Sequence, residues 1–131
     1  MTIGQLLFYC ILAAISFMIL RPLIFGGPRI TPADAAAQIA AGTAVLIDVR
    51  EPSEWANGSA APAALLSLGE LRGARREWKP YLEKNKDKLL ILYCASGMRS
   101  GLAASTLKKE GFRVANLGGF GRWTQAGLPV K

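Results

Sequence analysis

The chain has 131 residues, 16 Lys and Arg against 9 Asp and Glu for a net charge of +7, two cysteines and no histidine. That length fits one domain. The missing histidine excludes Cys–His and Ser–His catalysis and histidine-ligated metals, and two separated cysteines cannot build a structural zinc site.

No charged side chain occurs before Arg21. The apolar run from Ile3 to Leu20 would make about 27 Å of helix at ~1.5 Å per residue, close to a hydrocarbon core of about 30 Å. The pattern predicts one membrane-spanning helix over Leu6–Phe25, with Arg21 snorkelling to the interface. This divides the chain into an anchor (1–25), a short hinge "GGPR" (26–29) and a globular domain (30–131). A cleaved signal peptide would need a basic start and a small-residue cleavage site, whereas "MTIGQ" is uncharged and "RPLIFGGPRI" follows the apolar core. Arg21 and Arg29 flank only the C-terminal end of the span, which places the domain on the cytoplasmic side of a single-pass membrane protein. Cys10 falls in the anchor and Cys94 in the domain, so a disulfide between them is not expected and a reducing compartment fits.

"TPADAAAQIAAG" predicts a helix with Thr31 as N-cap, Pro32 at the first position, Asp34 in a capping-box-like start and Gly42 as stop. Ala44–Val49 is a continuous apolar strand, and "REPSEWANG" a single helical turn closed by Asn57-Gly58. A short strand is expected at Ala64–Leu68, a charged helix over Leu71–Asn85, and a second strong strand at Leu89–Cys94. "RSGLAASTLKKEG" then reads as a helix with Leu102, Ala103 and Leu107 on its inner face, with Lys108 and Lys109 complementing its C-terminal dipole and Gly111 capping it. "FRVANL" supplies another strand, and "GGFGRWTQAG" a turn and short helix packed by Trp123.

The stretch "ELRGARREWKPYLEKNKDK" holds seven Lys and Arg against four Asp and Glu. It reads first as a solvated helix face laced with opposite charges, with a surface on anionic lipid as the sharper alternative. Nucleic acid is not expected, because Trp78 and Tyr81 are spaced like a packing side rather than a base-stacking platform.

Strands alternating with helices argue for a parallel sheet covered on both faces, whose ligands bind at the carboxyl ends of the strands. Asp48, Cys94 and Asn116-Leu117 gather there. Cys94 admits two readings at this point. As a small hydrophobe it would merely end a buried strand. As a nucleophile it would sit in the turn "CASGMR", where the amides of residues 95–99 and a helix N-terminus favour thiolate over thiol without a general base. Gly97 supplies a residue tolerant of φ > 0 for such a cradle, and Arg99 a donor fork suited to an anion. Arg50 is expected to pair with Glu51 or Glu54 to hold its turn, and Asp48 to accept hydrogen bonds from the loop.

"LIDVREPSEW", "LLILYCASGMRSGLAASTLKKEGF" and "VANLGGFGRWTQAGLPV" resemble the successive signatures of a single-domain rhodanese (sulfurtransferase) module, over residues 29–131. The resemblance implies an α/β fold with a central parallel five-stranded sheet and helices on both faces, here preceded by one transmembrane helix. It implies that Cys94 accepts a sulfane sulfur as a persulfide, cradled by the loop of Ala95, Ser96, Gly97, Met98 and Arg99, with Asp48 and Arg50 in support. The partners implied are a small sulfur-donor anion such as thiosulfate and a thiol acceptor, small or protein, with no metal and no cofactor. Phosphatase and arsenate-reductase relatives carry a loop one residue longer, Cys-x5-Arg, whereas this chain has the shorter Cys-x4-Arg. One departure is "NGSAAPAA", where the family commonly has a Gly-His-Ile-Pro-Gly-Ala-like stretch. It motivates the alternative of a non-catalytic binding module tethering a partner at the membrane. A membrane-held redox thiol is a third reading, opposed by the lack of a resolving cysteine near Cys94.

Overall fold

The computed structural model describes residues 1–25 and 27–131. The first helix, α1 (Ile3–Phe25), begins three residues ahead of the expected Leu6. Thr2 and Gln5 cap it reciprocally: the Gln5 amide donates to Thr2 Oγ1 (3.1 Å), and the Thr2 N–H donates to Gln5 Oε1 (2.9 Å). No residue from Ile3 to Leu20 is buried, and by length and composition this helix is apolar and long enough to cross a membrane.

Helix α2 (Pro32–Ala40) follows the expected cap, with Thr31 Oγ1 accepting from the Asp34 amide at 3.2 Å. Strand β1 (Ala44–Asp48) leads to the one-turn helix α3 (Pro52–Trp55), and β2 spans Ala63–Leu65. The expected strand at Ala64–Leu68 thus starts and ends early. Ser67 accepts from the Glu70 amide and caps a new helix, α4 (Leu68–Arg72), so Leu68 is helical. The single charged helix expected over Leu71–Asn85 is two: α4, and α5 (Trp78–Lys84). Gly73 breaks the helical path at φ −106, ψ −129, and Arg75 is left-handed at φ 55. The Arg75 side chain is held from both sides, its Nε donating to Leu71 O within the segment (2.6 Å) and its fork gripping Glu110 outside it. Pro80 is tolerated because it lies in the first turn of α5, where its missing N–H has no helical partner to lose.

β3 (Leu89–Cys94), α6 (Met98–Lys109), β4 (Val114–Gly119) and α7 (Phe120–Gln125) complete the domain. The sheet order is β2-β1-β3-β4, all parallel. The resemblance implied five strands, and four are present among the described residues. In place of a fifth, Arg29 makes one parallel bridge to Asn116. Pro28 accepts from the Asn116 amide (2.8 Å), but having no N–H it cannot extend the ladder, and Gly27 turns the chain at φ 63. Of the expected hinge at 26–29, Gly26 lies outside the described residues. Pro28 and Arg29 lie along β4, and the Ile30 amide donates to Asn116 O at 3.3 Å.

Alternation along the strands sorts the core onto two faces. Ile47, Leu90, Leu92 and Cys94 face α4, α5 and α6 with Leu71, Trp78, Leu82 and Leu107. Leu46, Ile91, Tyr93, Ala115 and Leu117 face α2 and α7 with Ala35 and Trp123. On α6 the buried stripe is Ser100, Ala103, Ala104 and Leu107, the i, i+3, i+4, i+7 set. Leu102, expected inside, falls off that stripe and is 40% exposed.

Candidate functional site

Cys94 ends β3 on the face covered by α6, so the parity of the strand alone puts its sulfur under the N-terminus of that helix. The turn between them runs through Gly97, the N-cap of α6, at φ 95. This left-handed residue aims its amide at Cys94 Sγ, 3.0 Å away. Burial alone would push the thiol up. The Ser100 hydroxyl, 3.5 Å from Sγ, and the backbone amides of Ser100, Ser96 and Gly97 outweigh it and bring the thiol below its ordinary value. The 12-residue helix α6 adds the positive end of its dipole. Cys94 is fully buried, whereas Ala95, Ser96 and Met98 on the rim are exposed.

The Ser100 hydroxyl is itself held. Asn116 Oδ1 lies 2.7 Å from Ser100 Oγ and accepts from the Gly118 amide at 2.9 Å, while Asn116 Nδ2 donates to Gly97 O at 3.1 Å. Gly97 O can only accept and Gly118 N can only donate, so the Asn116 amide has one satisfactory orientation. Ser100 then has a single proton and two acceptors, Asn116 Oδ1 and Cys94 Sγ. A thiol leaves that proton on Asn116; a thiolate competes for it.

The loop is walled by β4. Register passes from Leu92↔Asn116 to Tyr93↔Gly118, leaving Leu117 as a bulge residue. Beyond it Gly118 (φ 98) and Gly119 press on the cysteine loop. A Cβ on Gly119 would lie 2.6 Å from Ala95 O, and one on Gly97 would lie 3.1 Å from Gly118 Cα. The sequence suggested turn glycines; the structure makes them the contact surface of the loop.

The Arg99 fork is occupied. Its two terminal nitrogens donate to the Glu54 carboxylate from α3 at 2.5 and 2.9 Å. Those bonds hold the Glu54 carboxyl down to about 2 and push Arg99 above its ordinary value. The expected pairing of Arg50 with Glu51 or Glu54 is therefore not what forms. Arg50 binds Asp48: its Nε is 3.0 Å from both carboxylate oxygens and its Nη2 is 2.8 Å from Oδ2. Two residues of extended chain bring those side chains to the same face, while Glu54 faces the cysteine loop. Hydrogen bonding to Asp48 raises Arg50 above its ordinary value. Arg50 also donates to Gly58 O (2.7 Å) and lies over the Phe120 ring at 4.7 Å.

The Asp48–Arg50 pair thus builds a wall beside the cysteine loop, with no direct bond to the thiol among the described contacts. The same wall includes the departing segment "NGSAAPAA". The Tyr93 hydroxyl accepts from the Ala60 amide (2.9 Å), and the segment Pro129–Lys131, bridged at Val130 to Ala60, bonds Ser59 and Ala61. Residues 57–64 therefore reach β2 with their backbone groups engaged despite lacking the family's histidine.

The sequence placed Asn116 at the site without a role, and missed Ser100 and the part played by Glu54. Ser100 had a signal, being a polar residue in the apolar stripe of α6. Asn116 had one too, as an amide inside the apolar run "VANL". Glu54 had none that distinguished it from Glu51.

Residues 31–126 match the Rhodanese-like domain family. An uncharacterized protein of Bacillus subtilis, YqhL, is 42% identical over 82 residues, covering 61% of this chain and 60% of that protein. A protein of Allochromatium vinosum described as a sulfurtransferase is 38% identical over 88 residues, 66% of this chain and 77% of that one. Among solved structures, a rhodanese-related protein of Thermoplasma volcanium superposes with a TM-score of 0.66 at 30% identity, covering 79% of this chain and 97% of that one.

Proposed function

The chain belongs to the rhodanese-like domain family, and from that premise we propose that it is a membrane-anchored sulfurtransferase working through a persulfide on Cys94. The observation that carries the reading is the cradle of Sγ: a Gly97 amide at 3.0 Å, the Ser100 hydroxyl and the N-terminus of α6. They favour thiolate where no histidine is present to act as base.

In the first half-reaction the Cys94 thiolate attacks the sulfane sulfur of a donor such as thiosulfate. A new S–S bond forms, the donor's S–S bond breaks, and sulfite leaves with its electron pair. The amides of Ala95, Ser96, Gly97, Met98 and Arg99 receive the negative charge on the terminal sulfur. Arg99, with its fork on Glu54, holds α3 against the loop. In the second half-reaction a thiol, small or on a protein, or cyanide in an assay, attacks the terminal sulfur and restores the thiolate. Because Cys94 is fully covered, a donor reaches it only as the exposed rim of Ala95, Ser96 and Met98 parts. The four-residue spacing between Cys94 and Arg99 supports sulfur over a phosphate-sized group.

The anchor is residues 1–25, with the domain at 30–131 on the cytoplasmic side. The uniformly exposed apolar run of α1 and the arginines at 21 and 29 support this.

The test uses the full chain in detergent micelles with thiosulfate, its intact mass read beside Cys94→Ser. The expected result is a gain of one sulfur atom, removed by cyanide and absent in the variant. Absence of the gain at saturating donor overturns the enzyme reading and leaves the binding module, which the full burial of Cys94 also accommodates.

A further inference from the structure

Parallel strands give the domain two unlike ends. Lys88 immediately precedes β3 and Arg113 immediately precedes β4, and the two ends are joined where the Leu90 amide donates to Arg113 O (2.9 Å). Helix α6 runs back from the cysteine loop and delivers Lys108 and Lys109 to this same amino end in its last turn. Two carboxylates here are already engaged, Glu110 by Arg75 and Glu83 by Lys86. Lys88, Lys108, Lys109 and Arg113 then face one further carboxylate, Asp87, among the described residues, and Arg113 spends a donor on the Asp87 backbone (2.7 Å) rather than its side chain.

The chain arrives at this end. Gly27 is buried against the first residue of β4: a Cβ there would lie 3.3 Å from Val114 Cγ2 and 3.7 Å from Ala104. Only two peptide units separate Gly27 from Phe25, the last residue of α1, so about 7 Å of extended chain is the longest possible tether. That is within the Debye length of about 8 Å at physiological ionic strength. A helix that ends at the bilayer surface therefore holds the basic end inside the field of its headgroups.

We propose that the amino end of the sheet, through Lys88, Lys108, Lys109 and Arg113, docks on an anionic lipid surface. It rests on the reading of α1 as a membrane span. Docked this way, β3 points away from the bilayer and raises Cys94 about 20 Å above Lys88 at ~3.3 Å per residue. Donor and acceptor then reach the cysteine from the aqueous phase.

The experiment reconstitutes the full chain in vesicles of phosphatidylcholine, with and without phosphatidylglycerol, and follows acetylation of each lysine by mass spectrometry. Lys131, whose backbone bonds Ser59 beside the Arg50–Gly58 contact at the cysteine end of the sheet, is the internal control. Each basic side chain near an anionic surface contributes about a fivefold preference for it. The expected result is at least about fivefold slower acetylation of Lys88, Lys108 and Lys109 on the anionic vesicles, with Lys131 unchanged. Sodium chloride at about 1 M, where the Debye length falls to about 3 Å, should restore the rates. The pair Lys108→Glu and Lys109→Glu, both exposed, should restore the rate at Lys88. Equal rates on the two vesicles, slowing that survives salt, or equal slowing of Lys131 overturns the docking. A chain that does not float with either vesicle overturns the anchor itself, a separate outcome.

Discussion

The two ends of the sheet solve opposite problems with the same residue types. At the carboxyl end each ionic or polar group has a specific partner: Arg50 on Asp48 and Ser100 on Asn116 are buried, and Arg99 on Glu54 is about one third exposed. At the amino end the ion pair Arg75–Glu110 is partly exposed and Lys86–Glu83 fully so, and Lys88, Lys108 and Lys109 form no ion pair among the described residues. Glycines divide the same way. Gly119 has a backbone carbonyl where a Cβ would go, whereas Gly111, after α6, has a positive φ and open space. The cause is the polarity of a βα repeat: helix N-termini collect at the carboxyl end and make donors for anions, and C-termini collect at the other and attract cations.

The largest expected effect separates the two kinds of ion pair. Arg50→Ala leaves Asp48 buried and uncompensated and should cost about 3–5 kcal/mol. Arg75→Ala removes an exposed pair and should cost about 1 kcal/mol or less. Urea unfolding of the full chain in micelles measures both, and comparable losses would erase the distinction.

Next come the glycines. Gly119→Ala forces a methyl onto Ala95 O and should cost about 1–3 kcal/mol by overpacking, with sulfur uptake lost because the cradle moves. Gly111→Ala meets only the left-handed backbone penalty of about 1–2 kcal/mol, and uptake should survive. An active Gly119→Ala protein would show that the loop does not need the wall.

A smaller effect concerns proton placement. Ser100→Ala removes a hydrogen bond from the Cys94 thiolate, so the thiol should rise and its alkylation at neutral pH slow severalfold. The midpoint of alkylation against pH should move upward, and Ser100→Thr should bring it back. An unmoved midpoint would reduce Ser100 to a packing residue.

The smallest is the pH response of Arg99–Glu54. The carboxyl is lowered from 4.5 to about 2 by its bonds to Arg99. Its stabilisation is therefore complete above about 4.5 and lost as pH falls through about 2. The pair is about one third exposed, which limits it to about 1 kcal/mol or less. Glu54→Gln should abolish this part of the acid destabilisation while leaving stability near neutral pH within that limit. A larger loss at neutral pH would mean that Glu54 carries more than the ion pair.

Much of the fold follows from local pattern. The apolar runs at 44–49 and 89–94 are strands because, Asp48 apart, their side chains avoid water, and Thr31 caps α2 through its own neighbour, Asp34. The differences have local and non-local causes. Arg75 stays left-handed because Glu110, 35 residues away, holds its fork. Strand β2 stops early because Ser67 finds a cap. Leu102 turned outward because helix register, set by Ser100 and Ala103 against the sheet, decided which stripe is buried.

What the sequence determined alone is chemistry confined to a few consecutive residues: a cysteine at a strand end, a glycine three residues on, an arginine at the fifth, and no histidine elsewhere. Such features depend on covalent spacing and intrinsic backbone preference, which no distant contact is needed to express. Only the tertiary structure decided that Glu54 fills the Arg99 fork across 45 residues, and that Asn116 orients Ser100 across 16. It also decided that Gly118 and Gly119 back the loop. Those pairings exist because the parallel sheet brings the ends of its strands together, and hydrogen-bond partners are selected by distance in space rather than along the chain.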